Sequence, residues 1–392
     1  MRLLILNENS KVREDSSGNL YTIDFSDEVW NRYFSIADEI VYVARKEMTI
    51  LSESDALKQY RKIKYDKVIV KFVYDLKKDI KCFSSVKKRV YNRKLIENEI
   101  INADAVIVRS SPISLRSLKK ILIKYKKPYL VECVGCIWDA FWNHGFKGKI
   151  LAPYLFLSQR NFIKKSNYVV YVTEEFLQSR YPTLGKQIGI SDVDIPIRKK
   201  EILDKRIEHI RKNNGKIILG TAAAIDVKYK GQKYVIDALA QLKRHGITKY
   251  EYQLAGAGSS RYLLEYAKKR GVEENIVFCG SLSKEGIFDW LDNIDVYIQP
   301  SLLEGLPRAV IEAMSRALPC VLSDVGEMPK LVSPDFIFHK KNVRKIIEIL
   351  QNLNNEVLQQ QAIRNFQRTK KYEKSIRDIE WIKFYTDMLS YN

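Results

Sequence analysis

Pro300-Ser-Leu-Leu-Glu-Gly-Leu-Pro-Arg-Ala-Val-Ile-Glu-Ala-Met314 places two carboxylates, Glu304 and Glu312, on either side of a predicted junction between a loop and a helix. The residues before it, 294–299, are mostly apolar, as in a buried strand, and a proline and a glycine then interrupt that pattern. Pro307 suits the first turn of a helix, because the N–H group that proline lacks would have no partner there. The stretch therefore predicts a helix N-terminus directly after a strand, and the free N–H groups of such a terminus favour a phosphate.

The two glutamates would repel that phosphate if they touched it. Carboxylates accept hydrogen bonds from hydroxyl groups, so both residues suit a sugar or a ribose that is carried on a phosphate. An ordinary strand–helix unit with solvent-facing glutamates is the alternative interpretation.

The segment from Glu304 to Glu312 resembles the E-x7-E motif of the retaining family-4 glycosyltransferases, which have the GT-B fold. The resemblance implies that Glu304 binds hydroxyl groups of the donor sugar and that Glu312 binds the ribose of the nucleotide. It also implies that the backbone of Gly305, Leu306 and Pro307 contacts the sugar and the diphosphate.

Lys228-Tyr-Lys230-Gly231 precedes a predicted helix and resembles the Lys-Gly pair that the same family places beside the diphosphate. A lysine at such a junction presents a compact positive charge, which stabilises a leaving group. The resemblance therefore assigns Lys230 to the diphosphate and Lys228 to a second contact. Ordinary surface lysines are the alternative.

Two further turns follow predicted strands in the second half. Residues 255–261, Ala-Gly-Ala-Gly-Ser-Ser-Arg, resemble the glycine-rich turn that flanks the nucleotide in the family. Residues 278–282 resemble the segment whose backbone recognises the donor base, which implies contacts from Gly280, Ser281 and Leu282. Plain turns would account for both segments equally well.

In the first half, Glu132-Cys-Val-Gly-Cys-Ile-Trp-Asp-Ala-Phe-Trp-Asn-His144 follows a predicted strand, where α/β sheets bind ligands. Trp138 and Trp142 suit stacking on an acceptor sugar. Many family members have a His or an Asp in this region, so Asp139 or His144 is expected to bind hydroxyls near the reacting carbon. Core tryptophans and a structural histidine are the alternative.

In the family that this sequence resembles, the first strand usually leads into a glycine-rich loop near the diphosphate and the acceptor. Here residues 7–22 contain one glycine, Gly18. We expect Gly18 to contact the acceptor, and a particular acceptor would explain the departure from the family pattern.

Strand-like and helix-like runs alternate along the 392 residues, which predicts a parallel α/β architecture. With the resemblance, the expected fold is GT-B, two Rossmann-like doubly wound parallel sheets that face each other across a cleft. Residues 1–195 would bind the acceptor, residues 196–375 the nucleotide sugar, and residues 376–392 would form a helix that crosses back to the first domain. The predicted strands are residues 2–6, 39–44, 67–72, 105–109, 129–134, 168–172, 216–221, 250–255, 276–279, 296–299 and 319–323.

The net charge of +20 calls for an acidic partner or surface. Residues 61–130 hold 20 Lys and Arg against 6 Asp and Glu, a local excess of +14. Within 81–94 six basic residues occur with no acidic one, and Val86, Val90 and Tyr91 recur among them near helical spacing. This pattern predicts a basic amphipathic helix on an anionic membrane, with a solvated charged face as the alternative. Nucleic-acid binding is not expected, because no recognised nucleic-acid-binding motif occurs.

No run of 18 apolar residues occurs, so no transmembrane helix is expected. The apolar start, residues 1–6, is too short for a signal peptide. Five cysteines without a regular framework suit a reduced compartment, and Cys133-Val-Gly-Cys136 lacks the second pair that a four-cysteine zinc site needs. A cytoplasmic protein, peripheral on the cytoplasmic face of a bacterial inner membrane, is expected.

The resemblance implies a retaining glycosyltransferase that moves a hexose-type sugar from a UDP- or GDP-sugar to a glycan or lipid-linked acceptor in surface polysaccharide or lipopolysaccharide synthesis. No metal and no cofactor are expected, because lysines and N–H groups supply the positive charge. A nucleotide-sugar epimerase of the same fold and a nonenzymatic polyanion-binding protein are the alternatives. The sequence does not indicate an oligomeric state.

Overall fold

The computed structural model of the protein describes residues 1–75, 85–109, 115–142, 145–191, 193, 195, 199–213 and 215–390. The chain divides into two compact units. The first unit consists of Met1–Ile190 and Asp378–Asn392, and the second of Ser191–Arg377.

The first unit is built on one sheet, in which nine strands are described. Seven run parallel in the order β5-β3-β1-β6-β7-β8-β9, and β2 and β4 extend the far half of β1 as an antiparallel ribbon. The strands are β1 (Arg2–Glu14), β2 (Leu20–Thr22), β3 (Glu39–Lys46), β4 (Arg61–Lys62), β5 (Val68–Val73), β6 (Ala105–Arg109), β7 (Tyr129–Cys133), β8 (Tyr168–Tyr171) and β9 (Lys186–Gly189).

Helices cover both faces of this sheet. One core lies beneath α3, α4 and α6, and the other lies beneath α1. The helices are α1 (Asp27–Phe34), α2 (Glu53–Gln59), α3 (Val86–Asn102), α4 (Leu115–Lys124), α5 (Ile137–Trp142), α6 (Gly145–Lys164) and α7 (Phe176–Arg180).

The second unit contains a parallel sheet in the order β12-β11-β10-β13-β14-β15, packed around a single core. Its strands are β10 (Ile217–Ala222), β11 (Tyr250–Ala255), β12 (Ile276–Gly280), β13 (Val296–Gln299), β14 (Cys320–Ser323) and β15 (Ile337–Phe338). Its helices are α8 (Lys200–Lys212), α9 (Gln232–Arg244), α10 (Arg261–Arg270), α11 (Lys284–Asn293), α12 (Arg308–Ser315), α13 (Met328–Leu331), α14 (Val343–Gln351) and α15 (Asn355–Arg368).

The last helix, α16 (Lys374–Leu389), belongs to the first unit from Asp378 onward. Its Trp381 and Tyr385 are buried and stack with ring centroids 3.6 Å apart. The hydroxyl of Tyr385 donates to the buried carboxylate of Glu132, which also accepts a hydrogen bond of 2.7 Å from Tyr33. Aromatic packing and a shared buried acceptor therefore fix the end of the chain on the first unit.

All eleven predicted strands are present, and ten of them end within two residues of the prediction. The exception is β1, where the prediction of a loop after residue 6 is wrong, because the strand continues to Glu14. Ser10 and Val12 are buried while Lys11 lies at the surface, so this half alternates in burial although most of its side chains are polar. Backbone pairing, with Lys11 opposite Arg45, extends the strand where hydrophobicity gives no signal.

Gly18 lies in the turn between β1 and β2, with φ +82°. The carboxylate of Asp15 organises this turn by accepting hydrogen bonds from the backbone N–H of Ser17 at 2.8 Å, the N–H of Asn19 at 2.9 Å and the hydroxyl of Tyr21 at 2.8 Å. Burial alone would raise the pKa of Asp15, but a hydrogen bond of 2.8 Å from the side-chain amide of Asn19, together with these three, lowers it to about 2. Gly18 is therefore a hairpin residue, and its predicted acceptor contact stays a prediction.

Candidate active site

The order of strands in the second unit reverses direction between β10 and β13. In open parallel sheets, ligands bind beyond the carboxyl ends of the strands at such a reversal. The loops that follow β10 and β13, residues 223–231 and 300–307, are neighbours at this edge. They contain the predicted lysines and the first of the two predicted glutamates.

Two glycines allow the loops to touch. Gly231 has φ +77°, and a Cβ on it would lie 1.9 Å from the carbonyl oxygen of Pro300. Gly326, in the loop after β14, has φ +61°, and its Cβ would lie 2.3 Å from the carbonyl oxygen of Glu304. Because a side chain would collide with backbone at both positions, the approach of the three loops depends on glycine.

The carboxylate of Glu304 accepts three hydrogen bonds at one oxygen, Oε1. The donors are Lys230 Nζ at 2.8 Å, Ser301 Oγ at 2.7 Å and Gln299 Nε2 at 3.3 Å. The side chains of Glu304 and Lys230 are 12% and 21% exposed. Among the described residues, every hydrogen bond and ion pair of this carboxylate is made by Oε1, so Oε2 remains available for a hydroxyl donor.

A buried tyrosine orients Gln299, one of the three donors to Glu304. The hydroxyl of Tyr297 donates to Gln299 Oε1 at 2.7 Å, which turns the Gln299 amide nitrogen toward Ser301 and Glu304. Burial raises the pKa of Tyr297 well above its usual value, and the negative charges of Glu312 and Glu304 act in the same direction. Tyr297 therefore remains a hydrogen-bond donor.

Sequence reasoning missed Tyr297, Gln299 and Ser301. The sequence does contain one signal for two of them. Side chains alternate between the two faces of a strand, so residues 297 and 299 of β13 lie on the same face. Polar groups two residues apart at the end of a buried strand are a detectable pattern, but the pattern alone does not identify their partner.

The two predicted phosphate-binding lysines lie differently. Lys230 forms the ion pair with Glu304, whereas Lys228 Nζ lies 5.2 Å from the centre of the Tyr262 ring, a cation–π contact. The structure thus brings Lys230 and Glu304 together and places Lys228 against α10. A single turn of 3-10 helix, Lys228–Lys230, carries both.

Glu312 is half-buried on α12, one turn from the start of that helix. Pro307 is the residue before the helix rather than part of its first turn, because its ψ of 112° is extended. Gly305, Leu306 and Pro307 therefore form the loop between the two glutamates. The residues around it on α12 are fully buried, and they comprise Val310, Ile311, Ala313 and Met314.

The predicted base-binding residues lie at the same edge of the sheet, where Gly280 ends β12 and Ser281 and Leu282 follow it. The carbonyl of Gly280 accepts a hydrogen bond of 2.8 Å from the N–H of Gly256 in the turn after β11. A Cβ on Gly256 would lie 2.0 Å from the carbonyl oxygen of Ala223, so this turn also touches the loop after β10. The predicted donor-binding segments thus share one edge of the second unit.

In the first unit, Trp138 and Trp142 stack on each other, with ring centroids 5.0 Å apart and planes 13° apart. Asp139 forms an ion pair of 3.0 Å with Arg180, whose guanidinium also donates to Cys136 Sγ at 3.0 Å. These contacts hold the side chains of α5 in place. His144, the fourth predicted residue, lies outside the described residues.

Cys133 is buried, and burial raises the pKa of its thiol above the usual value. Where the structure describes the chain, no group of three or more His, Cys, Asp or Glu residues is arranged to hold a metal ion.

The predicted basic helix corresponds to the start of α3, and residues 81–84 lie outside the described part of the chain. Val86, Val90 and Tyr91 are all exposed. No helix among the described residues is long and apolar enough to span a membrane.

Comparison with the sequences of known proteins identifies a matching family and several relatives. Residues 204–369, within the second unit, match the family Glycosyl transferases group 1. Protein CapJ of Staphylococcus aureus is 31% identical over 358 residues, which cover 89% of this chain and 85% of CapJ. The O-antigen biosynthesis glycosyltransferase WclY of Escherichia coli is 25% identical over 280 residues, covering 69% of this chain and 72% of WclY.

Solved structures share the fold at low sequence identity. Sucrose-phosphate synthase from Thermosynechococcus elongatus superimposes over the whole of both chains with a TM-score of 0.71 at 12% identity. Anabaena HepE in complex with UDP covers 99% of this chain and 100% of its own, with a TM-score of 0.67 at 12% identity. The predictions of a GT-B fold and of a transferase are confirmed: the chain belongs to the glycosyl transferases of group 1 and is a GT-B glycosyltransferase.

Proposed function

We propose that the enzyme moves a hexose-type sugar from a UDP- or GDP-sugar to a hydroxyl group of a glycan or lipid-linked acceptor, with retention of anomeric configuration, as a family-4 glycosyltransferase. Its pathway would be the synthesis of bacterial surface polysaccharide, such as capsule or lipopolysaccharide. HepE was solved with UDP and with UDP-glucose, and two relatives are named for O-antigen and amylovoran biosynthesis, which supports the proposal.

The observation that carries the proposal is the contact between Lys230 and Glu304 at the reversal of strand order. A nucleotide sugar presents a diphosphate next to a ring of hydroxyls, so its site needs a cation next to a carboxylate. The ammonium group of Lys230 has three N–H donors, of which one serves Glu304, and the others suit phosphate oxygens. Glu304 Oε2 suits a hydroxyl of the donor sugar.

The rest of the donor follows the same edge of the sheet. The N-terminus of α12 begins at Arg308, and its backbone N–H groups and positive dipole end would face the diphosphate across Gly305, Leu306 and Pro307. Glu312 would bind the ribose hydroxyls. The turn at residues 280–282 would contact the base through its backbone.

In the proposed reaction the bond between the anomeric carbon and the phosphate oxygen breaks, and the electron pair leaves with the diphosphate. Lys230 and Lys228 stabilise the charge that develops there. The acceptor oxygen attacks from the face that the diphosphate leaves, and its proton passes to the departing diphosphate. These fixed cations are our reason to propose that neither a metal ion nor a cofactor is required.

On the acceptor side we propose that the stacked pair Trp138–Trp142 presents an aromatic face to a sugar ring. Asp139 or His144 would bind a hydroxyl near the reacting carbon, and Gly18 would contact the acceptor from its hairpin. We further propose that the enzyme is cytoplasmic and peripheral on the inner membrane.

A panel of UDP- and GDP-sugars tests the proposed donor. We expect one sugar nucleotide to raise the melting temperature and to be turned over with release of the nucleoside diphosphate. Glu304→Gln should lower turnover by about 10²–10³, while Glu265→Gln, a control at an exposed ion-paired carboxylate, should not. Conversion of the donor to an epimer without an acceptor would instead indicate an isomerase, and an inverted anomeric signal in the product would refute retention.

A further inference from the structure

Helix α6 carries apolar side chains on two opposite faces. One face is buried: Ala152 and Leu155 are 0% and 8% exposed, and Phe162 belongs to a core of the first unit. On the other face, apolar side chains are spaced by four, four and three residues, so they form one stripe along the helix. These are Phe146, Ile150, Tyr154 and Leu157, which are 78%, 62%, 63% and 61% exposed.

The surface around this stripe is strongly basic. The sequence has no Asp or Glu from residue 105 to residue 131 or from residue 140 to residue 173, which includes the whole of α4 and α6. The same two ranges contain twelve Lys and Arg residues. Lys124 at the end of α4 pairs with Glu97 of α3, which lies on the other side of α4 from α6.

A groove of about 490 Å³ runs between α4 and α6. Three lysines, Lys119, Lys120 and Lys165, line it. Burial and the positive charge of Lys165 lower the pKa of Lys119. The apolar part of its lining comes from Ile123, Tyr154, Leu157 and Phe162, of which Tyr154 and Leu157 belong to the exposed stripe.

We propose that the surface formed by α4 and α6 is where this enzyme contacts an anionic phospholipid bilayer. A lipid phosphate would enter the groove between Lys119, Lys120 and Lys165, and the stripe of α6 would enter the boundary between headgroups and acyl chains. This inference rests on the peripheral membrane location proposed above, and it assigns that contact to α4 and α6 rather than to residues 81–94.

The lysines and the exposed apolar stripe together favour a bilayer over other partners. A soluble anion would use the lysines but would gain nothing from four exposed apolar side chains. An apolar protein surface would cover the stripe but would leave the lysines without a counter-charge. A bilayer with anionic headgroups satisfies both, as it does for interfacial helices with a basic flank and an apolar face.

Sedimentation with lipid vesicles tests the inference. The wild type should sediment with vesicles of equal parts phosphatidylcholine and phosphatidylglycerol and not with phosphatidylcholine alone. The triple variant Lys119→Gln, Lys120→Gln, Lys165→Gln should bind the anionic vesicles about a hundredfold more weakly. The control Lys249→Gln, Lys268→Gln, Lys269→Gln removes the same charge from exposed positions of the second unit and should bind like the wild type.

The double variant Ile150→Ser, Leu157→Ser separates a bilayer from a soluble polyanion. Both side chains are exposed, so the fold should be retained, which circular dichroism checks. Weaker vesicle binding by this variant supports the inference. Unchanged binding, with loss in the lysine variant, would indicate a polyanion site and overturn it.

Turnover of the sugar nucleotide keeps this test separate from that of the proposed function. If the wild type turns over its donor but does not sediment with anionic vesicles, the lipid-binding surface is refuted and the proposed transferase activity is not. A wild type that binds vesicles but turns over no sugar nucleotide would refute the proposed activity and leave the surface standing.

Discussion

The ammonium group of Lys230 lies 2.8 Å from the carboxylate of Glu304, although the two residues follow different strands and are 74 positions apart in the chain. Each is mostly buried, at 21% and 12% exposure. A buried ion pair loses much when one partner is removed, because the other charge stays behind without compensation. The pair therefore links the stability of the second unit to its proposed donor chemistry.

Replacing Lys230 should lower both activity and stability. Lys230→Ala removes the cation proposed to stabilise the leaving diphosphate, so we expect kcat to fall by about 10²–10³. It also leaves Glu304 without its counter-charge, so the melting temperature should fall. Lys249→Ala, at an exposed lysine of the same unit, is the control for both measurements. A Lys230→Ala enzyme with normal kcat would contradict the assigned role.

Gly231 and Gly246 form a matched pair for testing the contact between loops. Both have φ +77°, but a Cβ on Gly246 meets nothing within 4 Å, whereas one on Gly231 would lie 1.9 Å from Pro300 O. Gly246→Ala should cost about 1–2 kcal/mol of unfolding free energy from backbone strain alone. Gly231→Ala adds a collision with the backbone and should cost more, with loss of turnover. Equal shifts in melting temperature would show that the loop approach does not need glycine.

The hairpin at Asp15 should have a defined pH dependence. The pKa of Asp15 is lowered from 3.8 to about 2 in the folded protein, so its carboxylate stabilises the fold fully above pH 3.8 and this contribution is lost as the pH falls through about 2. We expect Asp15→Asn to lower the melting temperature at neutral pH, and the difference from the wild type to shrink as the pH approaches 2. Asp66→Asn, at an exposed carboxylate, is the control. A difference that stays constant with pH would contradict the assigned titration.

The sequence could predict the elements of the donor site because their signals are local. A buried strand, a proline, a glycine and a helical apolar face fall within residues 294–314, and β13 and all but the last residue of α12 lie there. The contact between Lys230 and Glu304 is not local, since it depends on β10 pairing with β13. The resemblance placed both residues at the donor, but the residues themselves give no distance between them.

Three other features could not be predicted from local sequence patterns. The far half of β1 is a strand of mostly polar side chains, held by pairing with β3 and β2, so hydrophobicity predicted a loop. The support of Glu304 by Tyr297 passes through Gln299, which is an interaction between side chains. The basic patch at 81–94 can be recognised in the sequence as a run of charges. The two faces of α6 are both apolar in sequence, so only the burial seen in the structure shows which of them is exposed.

The hydroxyls of Tyr33 and Tyr385 donate to the same oxygen, Oε1, of the buried Glu132, and Arg109 donates to its Oε2 at 2.9 Å. Tyr385→Phe removes a donor to a buried charge and should cost about 1–3 kcal/mol of unfolding free energy. Tyr33→Phe should cost a similar amount.

Because Tyr33 and Tyr385 share one acceptor, their losses should not be additive. The first substitution leaves Oε1 with the other tyrosine as a donor, but the second leaves a buried charged oxygen with neither, so the double variant should lose more than the sum by about 0.5–3 kcal/mol. Melting curves of the four proteins measure this coupling. Tyr65→Phe, whose hydroxyl donates to Asn31 and to the backbone of Asp27, shares no acceptor with Tyr385 and should combine with it additively. Additive losses in the first pair would mean that the two hydroxyls stabilise the fold independently, and would contradict the coupling through Glu132.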